Sequence, residues 1–224
     1  FHDPGCSLPM DLPGVRGAIR EHMQQKHGDE PGFAMYQITP WCECEQVERR
    51  RIEQLYLDAN LPHSLRGQTP RLFQNFELIE GNQQAHMLAK RFVHELQPHV
   101  LVIGANPGRG KSHLAEAISR EYLAAGNSVR YEVVPILLQS LRPSEYEEHG
   151  VRRDVIRERC HAATLLVLDD LGAEKPSQWT EQELFSLIDS RYASGKKLVV
   201  TTNWTGELFR SSEFYQRIGD RLLD

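Results

Sequence analysis

Cysteine is scarce in these 224 residues: there are four, Cys6, Cys42, Cys44 and Cys160. Cys42 and Cys44 are too close for an easy mutual bridge, and the set excludes the disulfide framework of a small secreted protein. A reducing, cytoplasmic setting is the expectation. Long apolar runs are also missing. The best, residues 100–103 and 165–168, fall well short of the roughly 18 residues that mark a membrane span, so no membrane partner is expected. No secretory signal heads the chain, which opens on Phe1 rather than Met, and its start is read as trimmed or not represented. There is no surplus of positive charge: 26 Lys and Arg stand against 31 Asp and Glu, a net charge of −5. That excludes a uniformly basic nucleic-acid coat and leaves room only for a local basic face. Internal repeats and low-complexity tracts are absent.

What remains is an ordinary globular composition, 40% hydrophobic and 25% charged, organised in three zones. Residues 1 to about 44 are rich in Pro, Gly and His and read as loop. Residues 45–66 turn to a charged helical pattern, with Val47, Ile52, Leu55 and Tyr56 spaced for one apolar face. Asn60-Leu61-Pro62 is expected to end that helix, because Pro62 lacks an N–H and restricts the residue before it. From about residue 68 helices and strands alternate. Helices are predicted over 82–96, 111–125, 143–160 and 180–193, with a short one after Pro135. Strands are predicted over 99–104, 129–134, 163–169 and 198–202. Alternation with nearly continuous apolar strands implies an α/β fold, a parallel sheet covered by helices on both faces.

The strongest chemical signal is Gly104-Ala105-Asn106-Pro107-Gly108-Arg109-Gly110-Lys111-Ser112, which leaves a predicted strand and opens a helix. Glycines there let backbone N–H groups turn inward around phosphate oxygens, and the helix start adds its positive dipole end. Lys111 supplies a cation to the β- and γ-phosphates and Ser112 a hydroxyl to Mg²⁺. The nucleotide-binding candidates are Asn106, Pro107, Gly108, Arg109, Gly110, Lys111, Ser112 and His113, for ATP with Mg²⁺. Ala105 stands where the usual pattern has its first glycine, which is tolerable if its φ is negative.

A second signal is the apolar run of residues 165–168 ending in Asp169-Asp170. At the carboxyl end of a parallel strand, Asp169 is placed to hold Mg²⁺ with Ser112, and Asp170 to orient and deprotonate water. Asn203, after the run of residues 198–202, is a candidate to touch the γ-phosphate or the lytic water, though a terminal Asn also makes a good turn residue. Arg217 and Arg221 lie four apart on one helix face. Nothing near them in the chain needs them in its own ATP site, so a solvated face and insertion into a neighbour's site both stay open. Arg152, Arg153, Arg157 and Arg159 lie among acids and read better as a mixed-charge helix than as a DNA contact.

Together these stretches resemble a known group. Gly110-Lys111-Ser112-His113-Leu114-Ala115, Asp169-Asp170-Leu171-Gly172-Ala173-Glu174-Lys175-Pro176, Gln178-Trp179-Thr180, Leu184-Phe185 with Ile188, Arg191 and Tyr192, and Thr202-Asn203 carry the likeness. So do Cys42 and Cys44, Arg49-Arg50-Arg51-Ile52, Asn60-Leu61-Pro62 and Phe73-Gln74-Asn75-Phe76. The pattern, from about residue 42 to 222, is similar to the bacterial replicative helicase loaders of the DnaC/DnaI type, and equally to the related IstB transposition ATPase. The resemblance implies an AAA+ P-loop ATPase domain over 67–224, preceded over 1–66 by a helicase-interaction region and linker helix. It implies a hexameric replicative helicase, single-stranded DNA and further copies of the chain as partners, with self-assembly through the ATP site. Residue by residue, Lys111 and Ser112 match the phosphate-loop pair. Asp169 and Asp170 match the metal and water-activating acids, where many relatives have Glu at the second position. Asn203 matches the sensor, and Arg221, with Arg217 beside it, the finger. Two departures accompany it: the family's sheet closes with a further strand after the finger helix, which is read as missing from this sequence, and the zinc pattern retains only Cys42 and Cys44, with Cys6, His22 or His27 as substitute Zn²⁺ ligands. A transposition helper, or an adaptor gated by ATP, are the alternative readings.

Overall fold

The computed structural model describes residues 43–62, 69–142, 151–175, 177–204 and 213–222. Its elements are α1 (Glu43–Asp58), a 3-10 turn (Phe73–Asn75), α2 (Gln83–His94), β1 (Val100–Gly104) and α3 (Lys111–Ala124), then β2 (Val129–Val133), α4 (Val134–Leu141), α5 (Val151–Ala162), β3 (Leu165–Leu171), α6 (Gln178–Ala193), β4 (Lys197–Thr202) and α7 (Glu213–Leu222). The four strands form one parallel sheet in the order β1-β4-β3-β2. The expected helices and strands are found, with ends shifted by a few residues. The largest shift is at α5, which begins at Val151; residues 143–150 of the predicted helix lie outside the described residues.

The continuous apolar strands are explained by two cores, one on each face. Leu165 and Val167 of β3 and Val199 of β4 point into a cluster with Leu114, Ile118 and Leu123 of α3 and Phe92 of α2. Leu166, Leu168, Leu198 and Val200 point the other way, against Leu137 of α4, Leu184 and Ile188 of α6, and Ile218 and Leu222 of α7. A strand alternates its side chains, so only a run apolar at every position can serve both.

The end of α1 belongs to the first core, where Ala59 and Leu61 are buried. Asn60 takes a left-handed conformation, φ 59°, which Asn tolerates better than most residues, and this turns the chain two residues ahead of Pro62. The turn lays residues 58–60 along the free edge of β2: the Tyr131 N–H donates to the Ala59 carbonyl at 2.8 Å, Arg130 Nη1 to Asp58 O at 3.0 Å, and Asn60 Nδ2 to Tyr131 O at 3.1 Å. One sheet edge is thereby covered. At the other edge β1 pairs, among the described residues, with β4 alone.

Arg191 of α6, named above within a motif, is wholly buried. Its guanidinium donates to the carbonyls of Cys160, His161, Ala163, Thr164 and Lys197 at 3.4, 3.3, 2.6, 3.0 and 2.5 Å. The cation thus gathers the carbonyl-rich end of α5 and the starts of β3 and β4, where the helix dipole is negative. Burial nevertheless pulls its pKa down to about 10.

Candidate functional site

The phosphate loop leaves β1 and enters α3 as expected. Gly108 and Gly110 both have positive φ, 78° and 83°, a conformation that costs an L side chain strain. Gly110 is constrained twice, because a Cβ there would lie 2.6 Å from Cε2 of Phe76. Ala105 is absent from the positive-φ residues, so its replacement of glycine is sterically neutral, and its N–H donates to the Thr202 carbonyl at 3.2 Å. Asn106, Pro107, Gly108 and Arg109 are exposed, whereas Lys111 is buried.

The loop meets the ends of β3 and β4. Lys111 Nζ donates to Asn203 Oδ1 at 2.7 Å and to the Asn106 carbonyl at 3.3 Å. Ser112 Oγ donates to Asp169 Oδ1 at 2.9 Å. The four side chains that sequence reasoning assigns to phosphate, metal and sensor therefore stand together, drawn from α3, β3 and the chain just after β4. Their chemistry fits Mg-ATP: left-handed glycines at a helix start, one buried ammonium, and a hydroxyl beside a carboxylate.

Asp169 and Asp170 lie inside β3 rather than at its end, since the strand runs to Leu171. The register with β4 slips there: Leu168 faces Val200 and Leu171 faces Thr202, so three steps on β3 answer two on β4. Asp170 is the extra residue of this bulge, with φ 59°. Bulges re-aim side chains next to active sites. Here the slip lets Leu171 return to the second core while Asp169 stays against α3. Burial raises the Asp170 carboxyl above its ordinary pKa; the Asp169 charge adds to this, and Lys111 opposes it.

Thr201 pins the bulge. Its hydroxyl donates to Asp169 Oδ1 and accepts the Asp170 N–H at 2.9 Å. Sequence reasoning gave it no role; the available signal was a pair of hydroxyls, Thr201-Thr202, closing the apolar run of residues 198–200. Residues 73–76 carry the family likeness in the sequence but no role there. His113 Nε2 lies 2.8 Å from the Leu72 carbonyl and 3.1 Å from Asn75 Oδ1. Phe76 sits edge-on to His113, with centroids 5.1 Å apart, and stacks on His86 at 5.3 Å. His113 thus anchors this segment to α3 and does not reach into the loop.

Arg217 and Arg221 do not join this group. Arg221 Nε donates to Asp189 Oδ1 at 2.8 Å and lies over Tyr192, and Arg217 lies 4.1 Å from the Phe185 ring centroid. All three partners are on α6. Arg157 pairs with Glu183 at 2.8 Å and Asp154 at 3.2 Å, as a mixed-charge helix should. Cys42, and the side chain of Cys44, lie outside the described residues, as do Cys6, His22 and His27. Among the described residues no cluster of three or more His, Cys, Asp or Glu is arranged to hold a metal.

With this geometry in view, comparison with known proteins identifies the group. The family described as "IstB-like ATP binding protein" matches residues 9–224. The chain belongs to that family. It is 26% identical over 155 residues to the replicative helicase loader DnaC of Escherichia coli (strain K12), covering 68% of this chain and 61% of that one. The chain therefore spans about three fifths of that relative's length. Among solved structures, the crystal structure of DnaI superposes with a TM-score of 0.57 at 24% identity, over 68% of this chain and 86% of that chain. The replication initiator DnaA bound to AMPPCP and single-stranded DNA superposes with a TM-score of 0.59 at 22% identity, over 67% and 48%. These structural likenesses establish the AAA+ P-loop fold.

Proposed function

We propose that this protein is a Mg²⁺-dependent ATPase that engages a hexameric replicative helicase and places it on single-stranded DNA, working as one subunit of an oligomer joined through its ATP sites. The observation that carries the ATPase reading is the meeting of Lys111 with Asn203 and of Ser112 with Asp169. The helicase reading draws support from the likeness to DnaC.

In this reading the N–H groups of residues 106–112 and the Lys111 ammonium hold the phosphate tail, while Ser112 and Asp169 hold Mg²⁺. The metal, when bound, neutralises charge developing on the phosphates. Asp170 accepts the proton of the attacking water; its burial beside Asp169 makes it a better base than an exposed aspartate. Asn203 exchanges its bond to Lys111 for one to the γ-phosphate or the water. Arg221, with Arg217, is fixed on α6 and serves the ATP site of a neighbouring copy.

The decisive experiment mixes the protein with its host's replicative helicase, with and without ATP, and weighs the products by native mass spectrometry. A defined complex whose abundance responds to nucleotide is expected, and no complex in either condition refutes helicase loading. The family description favours one second reading, a transposition helper of the IstB kind. That protein would coat duplex DNA in ATP and ignore the helicase.

A further inference from the structure

On the strand beside the carboxylate read as metal-holding lies a hydroxyl with no assigned purpose. Tyr131 of β2 is 1% exposed, and its phenol oxygen is buried with no hydrogen-bond partner among the described residues. A buried hydroxyl left unpaired is costly, and one in a native core calls for an explanation. Tyr131 is in register with Val167, and both point into the core beneath α3. Asp169 follows Val167 by two residues on the same face, where α3 meets it through Ser112. Burial holds the phenol's pKa well above the ordinary value, and the Asp169 and Glu116 carboxylates add to this.

The two carboxylates differ in how they are engaged. Glu116 lies one helical turn after Ser112, fully buried, and its Oε1 takes two hydrogen bonds from Arg120, at 3.0 and 2.7 Å. Asp169 receives Ser112 and Thr201, and both of these bonds fall on Oδ1. Its second oxygen is the natural acceptor for the phenol.

We propose that Tyr131 is a positioning residue for the metal site: its hydroxyl donates to Asp169 Oδ2 and, opposite Thr201 on Oδ1, fixes the plane in which that carboxylate faces Ser112 and Mg²⁺. Partners of this kind orient metal-holding groups, and their removal weakens metal affinity about 10- to 100-fold. The inference rests on the reading of Asp169 as the metal-holding acid.

The test is binding of the fluorescent analogue N-methylanthraniloyl-ATP to the full chain over a Mg²⁺ titration. Tyr131→Phe is expected to raise the Mg²⁺ midpoint about 10-fold or more while leaving affinity for the analogue in EDTA unchanged. A merely structural role would lower the melting temperature without moving the midpoint; a shift of less than about twofold on the same scale overturns the proposal. If Tyr131→Phe does not fold, Glu116→Gln carries the test. Loss of a nearby negative charge alone would weaken metal binding, whereas releasing the phenol from a competing acceptor strengthens it. A lower midpoint therefore supports the proposal, and an equal or higher one overturns it. A wild-type chain whose nucleotide binding ignores Mg²⁺ sinks the site reading and this one together. A Mg²⁺-dependent wild type with an unshifted Tyr131→Phe sinks only the role of Tyr131.

Discussion

Alanine at Gly108 and at Gly110 separates the loop's own conformation from its support by residues 72–76. Both glycines have positive φ, so each substitution carries about 1–2 kcal/mol of left-handed strain. At Gly108 the new Cβ meets nothing within 4 Å, and strain is the whole effect. At Gly110 it lies 2.6 and 3.1 Å from two ring carbons of Phe76. That ring cannot simply move aside, because it is stacked on His86 and braced edge-on by His113. Overpacking adds about 1–3 kcal/mol, for a total of about 2–5 kcal/mol with the strain included. In a chain of this size each kcal/mol lowers Tm by roughly 2–4 °C. Thermal unfolding by circular dichroism should place Gly110→Ala clearly below Gly108→Ala. Phe76→Leu should be less harmful in the Gly110→Ala background than in wild type, with a coupling of about 1–3 kcal/mol. Equal melting temperatures for the two alanine variants, or strict additivity with Phe76→Leu, would show that Phe76 does not clamp the loop.

Three further outcomes are expected. Asp170 has a raised folded pKa, so it contributes stability that is full below the ordinary carboxylate value and is lost as pH rises through its own pKa. Asp170→Asn should therefore abolish turnover while gaining stability over wild type as pH rises from 3 to about 7, read from urea midpoints across that range. Arg191→Met removes the guanidinium from the five carbonyls it serves, of which His161 O keeps Lys196 as a second donor, and should cost at least about 3 kcal/mol, measured by urea unfolding. Arg221→Ala should leave ATP binding intact and cut turnover about 10³-fold or more, the worth of a finger arginine. Mixing it with Lys111→Ala should restore activity in steady-state assays, because each variant supplies what the other's site lacks.

The two-faced sheet was legible because residues 165–168 and 198–200 are apolar at every position, which only a doubly covered strand requires, whereas the order β1-β4-β3-β2 leaves no mark in the sequence. The phosphate loop was legible because Gly108, Gly110, Lys111 and Ser112 must be adjacent in sequence to work. What stayed hidden depends on the path of the backbone. The pair Asp169-Asp170 reads as the end of a strand, and only the register with β4 reveals a bulge that splits the two acids. Pro62 is the obvious helix stop, yet Asn60 makes the turn, because its left-handed conformation brings residues 58–60 onto the edge of β2. Arg191 was visible as part of a motif, but a buried cation whose Nη1 and Nη2 donate to carbonyls leaves no partner acid in the sequence to find. Thr201, Phe76 and Tyr131 act across sequence separations of 31 residues or more, and no local pattern announces such contacts.

Calorimetric titration of ATP into wild type, Lys111→Ala and Asp169→Asn, each with and without Mg²⁺, tests most directly whether loop and acid form one site. Lys111→Ala should lose about 10- to 100-fold in affinity in both conditions, the scale of a lost charge-assisted contact, and Asp169→Asn should lose only the part that Mg²⁺ adds. ATP binding that is unchanged in both variants would contradict the account.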